Sequence, residues 1–199
     1  PLSRPPVVEA EAIARLIRIA RLAAAPVNVV HLSSAEGLEA IRQTKAAGQQ
    51  VFVETCPQYL LLEDSVFDRP DGAKYVCSPP IRKQGDIDTL WDALAQDEIY
   101  TIGTDHCSFN YEGQKTMGRD DFAKIPNGLP GVEHRLALMM TEGVAKKRRS
   151  LEKMVKKLSE SPAKLFGLYP RKGILQPGSD ADIAVWDASL ANTIAAKTQ

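Results

Sequence analysis

The stretch "IYTIGTDHCSF" (99–109) is a β-branched run that ends abruptly in Asp105, His106 and Cys107. A second run, "VNVVHLSS" (27–34), is apolar until His31. A neutral imidazole and a carboxylate, each at the exit of an apolar strand, are donors suited to Zn²⁺ or a similar divalent ion. Two donors do not make a zinc site, which takes at least three protein groups. The other two histidines, His106 and His134, complete no H-x-H or H-E-x-x-H. Asp105 and His106 do not begin a triad either, because adjacent strand residues point to opposite faces. A polar strand exit into solvent stays open as the plain account.

The cysteines, Cys56, Cys77 and Cys107, follow strands or sit in a long loop, so a thiol ligand or nucleophile is possible on position alone. No Cys-His-Asn order supports one, and a structural role is the simpler reading. "CSPPIR" and "PNGLPGVE" carry more. Pro79 and Pro80 stiffen the chain after Ser78 and leave backbone groups without local partners, while Asn127-Gly128 forces a tight turn with an amide at its apex. Such donors and acceptors could hold an amide-bearing ligand; ordinary turn chemistry accounts for them equally well.

These residues need elements to hold them. "EAEAIARLIRIARLA" places Ile13, Leu16, Ile17 and Ala20 on one helical face. The His31 strand follows, then Ser33 and Ser34 as N-caps to a helix over "EGLEAIRQTKAAG", stopping at Gly48. "QVFVETC" is a second strand, a long loop (57–85) follows, and "DIDTLWDALAQ" is a helix with Leu90 and Leu94 inward. The Asp105 run is the third strand. This alternation predicts an α/β fold with a parallel sheet, whose sites form at the carboxyl ends of strands. Beyond lie a second long loop (111–135), a helix through "EHRLALMMTEGV", and an amphipathic helix in "SLEKMVKKLSESPAKLFGL" with Leu151, Met154, Val155 and Leu158 opposite its lysines. Pro177-Gly178 is a turn, and Ile183 and Val185 alternate as in a β-hairpin strand.

Composition narrows the partners. The 199 residues suffice for a real core, and 25 basic residues balance 25 acidic ones, so charge makes no case for nucleic acid or an anionic membrane. No apolar run approaches a membrane span and "PLSRPPVVEAEA" lacks a signal-peptide pattern. Three unclustered cysteines suit free thiols in a reducing, cytoplasmic setting. The chain opens on Pro1 without an initiator Met, so an upstream portion is expected.

Taken together and in order, "VVHLSS", "ETCPQYLLL", "SPPIR", "TIGTDHCSF", "PNGLPGVEHR" and "PAKLFGLYPRKGILQPGSDADIAVWD" strongly resemble the dihydropyrimidinase and D-hydantoinase (phenylhydantoinase) branch of the cyclic amidohydrolases. The resemblance runs from Leu2 to Asp187. "TDHC" and "PNGLPGVE" point to this branch rather than to dihydroorotases, and less firmly away from allantoinases.

The resemblance implies the C-terminal part of a (β/α)₈ TIM-like barrel over residues 1–168, with 169–199 a return segment that is a fragment of an accessory β-sandwich. It implies two divalent metal ions, zinc the expected one, with His31 a metal ligand and Asp105 both ligand and acid/base. Ser78 and Asn127 match the residues whose backbone groups hydrogen-bond a small cyclic amide or imide. The ions would activate a water and polarise the ring carbonyl, and Asp105 would pass the water's proton to the leaving ring nitrogen, giving an N-carbamoyl amino acid. The H-x-H pair, a carboxylated lysine and a further histidine of the family are expected upstream, so this segment by itself is expected to be inactive. The family commonly forms homotetramers. Two other readings compete: a truncated non-catalytic homologue that works by assembly, and a flavodoxin-like binding domain, which needs a Gly-rich phosphate loop that "HLSSAEG" does not supply.

Overall fold

The computed structural model describes residues 2–45 and 48–195. These fall into two compact units, Pro1–Val132 and Glu133–Gln199. The expected boundary between 168 and 169 falls inside the second.

In the first unit, helix α1 (Pro6–Leu22) begins three residues earlier than its charge pattern suggests, because Pro6 sits at the first helical position, where the missing N–H costs nothing. It buries Ile13, Ile17 and Ala20, but Leu16 stays 45% exposed, contrary to expectation, because it faces a cleft rather than the core. Strand β1 (Val27–Val29) leads to α2 (Ala35–Lys45), whose start is capped as expected: Ser34 Oγ accepts from Gly37 N at 3.1 Å. The predicted last turn over Ala46 and Ala47 lies outside the described residues. Gly37 lets α1 and α2 approach closely, since a Cβ there would sit 2.9 Å from Leu32 and 3.1 Å from Ile13.

Strand β2 (Val51–Thr55) is followed by the short helix α3 (Pro57–Leu61), then α4 (Gln84–Ala95) and β3 (Thr101–Ile102). α4 buries Ile87, Leu90, Trp91, Ala93 and Leu94, and Trp91 Nε1 donates to Leu60 O at 2.8 Å, fixing α4 to α3. The sheet is parallel in the order β1-β2-β3, with Val29 opposite Val53 and Thr55 opposite Ile102. Each strand joins the next neighbour in the same direction. Because such crossovers are right-handed, α2 and α4 fall on one face. The buried Val51, Val53 and Thr55 alternate with the half-buried Phe52 and Glu54 of the other face. Over its three strands the sheet winds singly, as a (β/α) barrel does.

In the second unit, α5 (Arg135–Met139) continues into a π-helix (Met140–Ala145), and α6 (Leu151–Val155), a second π-helix (Lys156–Glu160) and α7 (Ser161–Leu165) follow in sequence. Two expectations fail here. Of the predicted apolar stripe Met154 is buried, but Leu151 and Val155 are exposed, and Lys157 is buried instead of solvated. Leu151 and Val155 line an apolar cavity of this unit together with Leu158, while the π-turn that begins at Lys156 shifts the register after it and brings Lys157 inward. The Ile183–Val185 alternation forms no strand: residues 181–187 have no ladder partner among the described residues, and a lone strand leaves its backbone groups unpaired. No described helix is long and apolar enough to cross a membrane.

Candidate functional site

His31 and Asp105 share a backbone feature. Among the described residues, five non-glycine residues adopt positive φ: Ala24, His31, Asp97, Asp105 and Lys147. Ala24, Asp97 and Lys147 stand two residues beyond a helix end, where left-handed backbone is the ordinary terminator. His31 (φ 42°) and Asp105 (φ 50°) follow strands instead. Positive φ strains any L residue, least so Asn, Asp and His, and such strain gathers at functional sites. With only β2 between their strands, the two exits lie at the same end of the sheet, about 10 Å apart by strand spacing.

His31 is half-buried and lines a cleft of ≈ 440 Å³ with Arg4, Glu9, Ser78 and Arg82. Asp105 is exposed, and its charge reaches Tyr59 and Cys77. Burial is the main force raising both of those groups, with Asp105 adding to it, and Cys77 is pushed up to about 11. Cys77 is therefore a protonated thiol at neutral pH, which fits its structural reading.

Ser78 and Asn127, 49 residues apart in sequence, are joined: Ser78 Oγ donates to Asn127 Oδ1 at 2.9 Å. The Arg4 guanidinium donates to both, at 3.0 Å to Asn127 Oδ1. Their side chains thus satisfy each other, while the main-chain N–H and C=O groups of both residues take no protein partner among the described residues. An exposed edge of unpaired backbone donors and acceptors is what recognition of a planar amide or imide requires.

The segment carrying Asn127 runs beside the exit of β3. Cys107 N donates to Leu129 O at 3.0 Å, Gly128 N to Val76 O at 3.0 Å, and His106 Nδ1 accepts from Gly131 N and Val132 N at 3.1 and 3.3 Å. His106, which the sequence leaves without a role, anchors this loop against the strand.

A buried network holds the other side. Glu9 Oε1 accepts from Ser33 N and Oγ at 3.0 Å each, and Glu9 Oε2 accepts from Ser34 Oγ. Arg82 donates to Ser33 Oγ at 3.0 Å and to Arg4 O at 2.7 Å, with its guanidinium 3.9 Å from Glu9. The start of α1, the chain just after His31 and the Ser78 arm are thereby tied together. Arg4, Glu9 and Arg82 are given no role by the sequence; "SRPPVVE", a polar cluster opening an apolar helix, holds the first two, and Arg82 closes the "SPPIR" motif.

The donor types fit a divalent metal and their number does not. This chain supplies one imidazole and one carboxylate, and among the described residues no three His, Cys, Asp or Glu side chains converge. A larger cavity of ≈ 730 Å³ in the second unit, lined mainly by apolar side chains such as Leu136, Val144, Leu158 and Trp186, contains none of the four candidates.

A singly wound parallel sheet with polar residues at its carboxyl end is the arrangement that a segment of a (β/α) barrel presents. The amidohydrolase family profile matches residues 3–199, and the chain belongs to that family. It is 48% identical over 187 residues to D-phenylhydantoinase from Escherichia coli O1:K1, covering 94% of this chain and 41% of the relative. It is 44% identical over 199 residues to D-hydantoinase from Geobacillus stearothermophilus, covering 99% and 42%. A D-hydantoinase (dihydropyrimidinase) structure from Thermus sp. superposes with TM-score 0.95 at 43% identity, over 99% of this chain and 43% of that one. An L-hydantoinase (dihydropyrimidinase) from Arthrobacter aurescens gives 0.82 at 41%, over 89% and 39%. The chain spans 41–42% of the length of these curated relatives.

Proposed function

We propose that this chain is the part of a cyclic amidohydrolase barrel that carries its acid/base and its imide-binding edge, acting on a dihydropyrimidine or hydantoin ring to give an N-carbamoyl amino acid. The observation that carries the reading is the left-handed backbone shared by His31 and Asp105 at two strand ends, away from any helix terminus. Residues 1–168 belong to the barrel and 169–199 to a return segment toward a β-sandwich, a division supported by the absence of helix or strand among described residues after 168.

His31 and Asp105 would hold metal, with the remaining ligands, a carboxylated lysine among them, coming from outside these 199 residues. Bound divalent ions, zinc the expected pair, would supply an activated water and polarise the ring carbonyl. The Asp105 carboxylate takes the water's proton and delivers it to the ring nitrogen, which cannot leave as a bare amide anion. The backbone groups of Ser78 and Asn127 hold the imide in register. A homotetramer in the cytoplasm is the working assembly.

The test is a chimera in which this chain replaces the matching span of the Geobacillus stearothermophilus D-hydantoinase. Ring opening of a hydantoin is expected, and Asp105→Asn should lower kcat by about 10²–10⁴-fold. A folded chimera that binds metal but opens no ring would favour the assembly protein, and near-normal turnover by Asp105→Asn would remove the acid/base role.

A further inference from the structure

Lys115 lies in the loop after β3 and has no part in the chemistry above, yet it is only 3% exposed. Its ammonium donates to Val76 O at 2.7 Å, Pro126 O at 2.7 Å and Gly128 O at 2.9 Å. Those bonds use all three of its donors. Val76 lies two residues before Ser78, and Pro126 and Gly128 flank Asn127. The face of Phe109 stands 5.4 Å away, and no carboxylate among the described residues is within ion-pair distance.

We propose that Lys115 is a positioning residue that clips together the two backbone arms presenting Ser78 and Asn127, and so sets the spacing of the imide-binding edge. The proposal rests on reading that edge as the substrate's. Burying an ammonium without a counter-charge is costly, and burial does draw Lys115 below the ordinary lysine range. The three carbonyl dipoles are what offset that cost. Without the ammonium, three carbonyls would face one another across the gap, with the Gly128 N to Val76 O bond the one backbone link between the arms among the described residues and the Ser78–Asn127 side-chain bond beside it on the exposed rim. The arms would lose three of the bonds that set their spacing. Arg4 bridges the same pair from the solvent side, through side chains, so it cannot substitute for a clip on the backbone.

The experiment compares Lys115→Met and Lys115→Arg in the same chimera and in the 199-residue chain. In the chimera, Lys115→Met should raise KM for the hydantoin about tenfold or more, with bound metal and kcat changing less, and Lys115→Arg should recover part of the loss. In the chain, backbone hydrogen exchange in 76–80 and 126–129 should quicken about tenfold in Lys115→Met while β2 keeps its protection. An unchanged KM, a loss of kcat or metal with KM held, or protection lost throughout the sheet would each overturn the clip. If the unsubstituted chimera opens no ring, the cyclic-amide reading fails by itself, and the exchange result alone decides whether Lys115 holds the arms.

Discussion

Asp105 and His31 acquire their positions from backbone that an ordinary strand residue would avoid, and Gly128 packs tightly against Cys107, two residues past Asp105. A Cβ at Gly128 would fall 2.3 Å from the Cys107 carbonyl oxygen and 3.0 Å from its Sγ, and the residue's φ of 155° disfavours any side chain. Gly128→Ala must therefore push the Asn127 turn away from the strand exit that bears Asp105. We expect it to cost about 1–3 kcal/mol, seen as a lowered midpoint in urea, because both the clash and the backbone region oppose it. An unchanged midpoint would show that the turn is free to move. Cys107 is exposed, and the same packing makes its carbonyl, rather than its thiol, the atom that matters structurally.

Helix α2 and the turn before β3 are latched by a bidentate pair: Arg42 Nε and Nη2 donate to the two Glu98 oxygens, each at 2.8 Å. The hydrogen bond from Arg42 is the main force that lowers the Glu98 carboxyl below its ordinary value. A group depressed in the folded state stabilises fully above its unfolded pKa, and that stability is lost as pH falls through the lower folded value. Glu98→Gln should thus lower stability by about 1 kcal/mol at pH 7 and by nothing once the pH is low enough to protonate Glu98 in the folded chain, a difference read from paired denaturation curves. Equal losses at both pH values would assign the effect to packing. The Glu9 network is buried more deeply, with side-chain exposures of 10% for Glu9 and 5% for Arg82. Glu9→Leu strands the Arg82 guanidinium and should cost about 3 kcal/mol. A loss under 1 kcal/mol would mean that the serines and Arg4 carry Arg82 without it.

The sheet leaves one side of β1 and one side of β3 without a strand partner among the described residues, and α1 leaves Val7, Val8, Leu16 and Ile19 about half exposed. Open edges and apolar faces of this kind promote association in water. Purified as 199 residues with Zn²⁺, the chain is expected to open neither dihydrouracil nor a hydantoin and to elute larger than a monomer on gel filtration. Turnover by a monomer would show that two donors suffice, against the ligand count argued above.

Much of this was legible in sequence because strands and helices of a parallel barrel repeat a local pattern. Apolar runs marked the three strands, Ser34 marked a helix start, and the polar ends of those runs marked His31 and Asp105. The pattern broke where local periodicity is not obeyed, at Lys157 in the π-turn after Val155, and where a strand needs a partner, at Ile183 and Val185. Which donor types stand at the strand ends, an imidazole at 31 and a carboxylate at 105, was settled by the sequence alone, because residue type and an apolar run that stops are both local features. What only the tertiary structure decided is how the edge beside them is held. Lys115, Arg4 and Arg82 donate to carbonyls and side chains distant in sequence, His106 accepts from the backbone N–H groups of Gly131 and Val132, and hydrogen bonds across such separations leave no periodic trace in the chain that forms them.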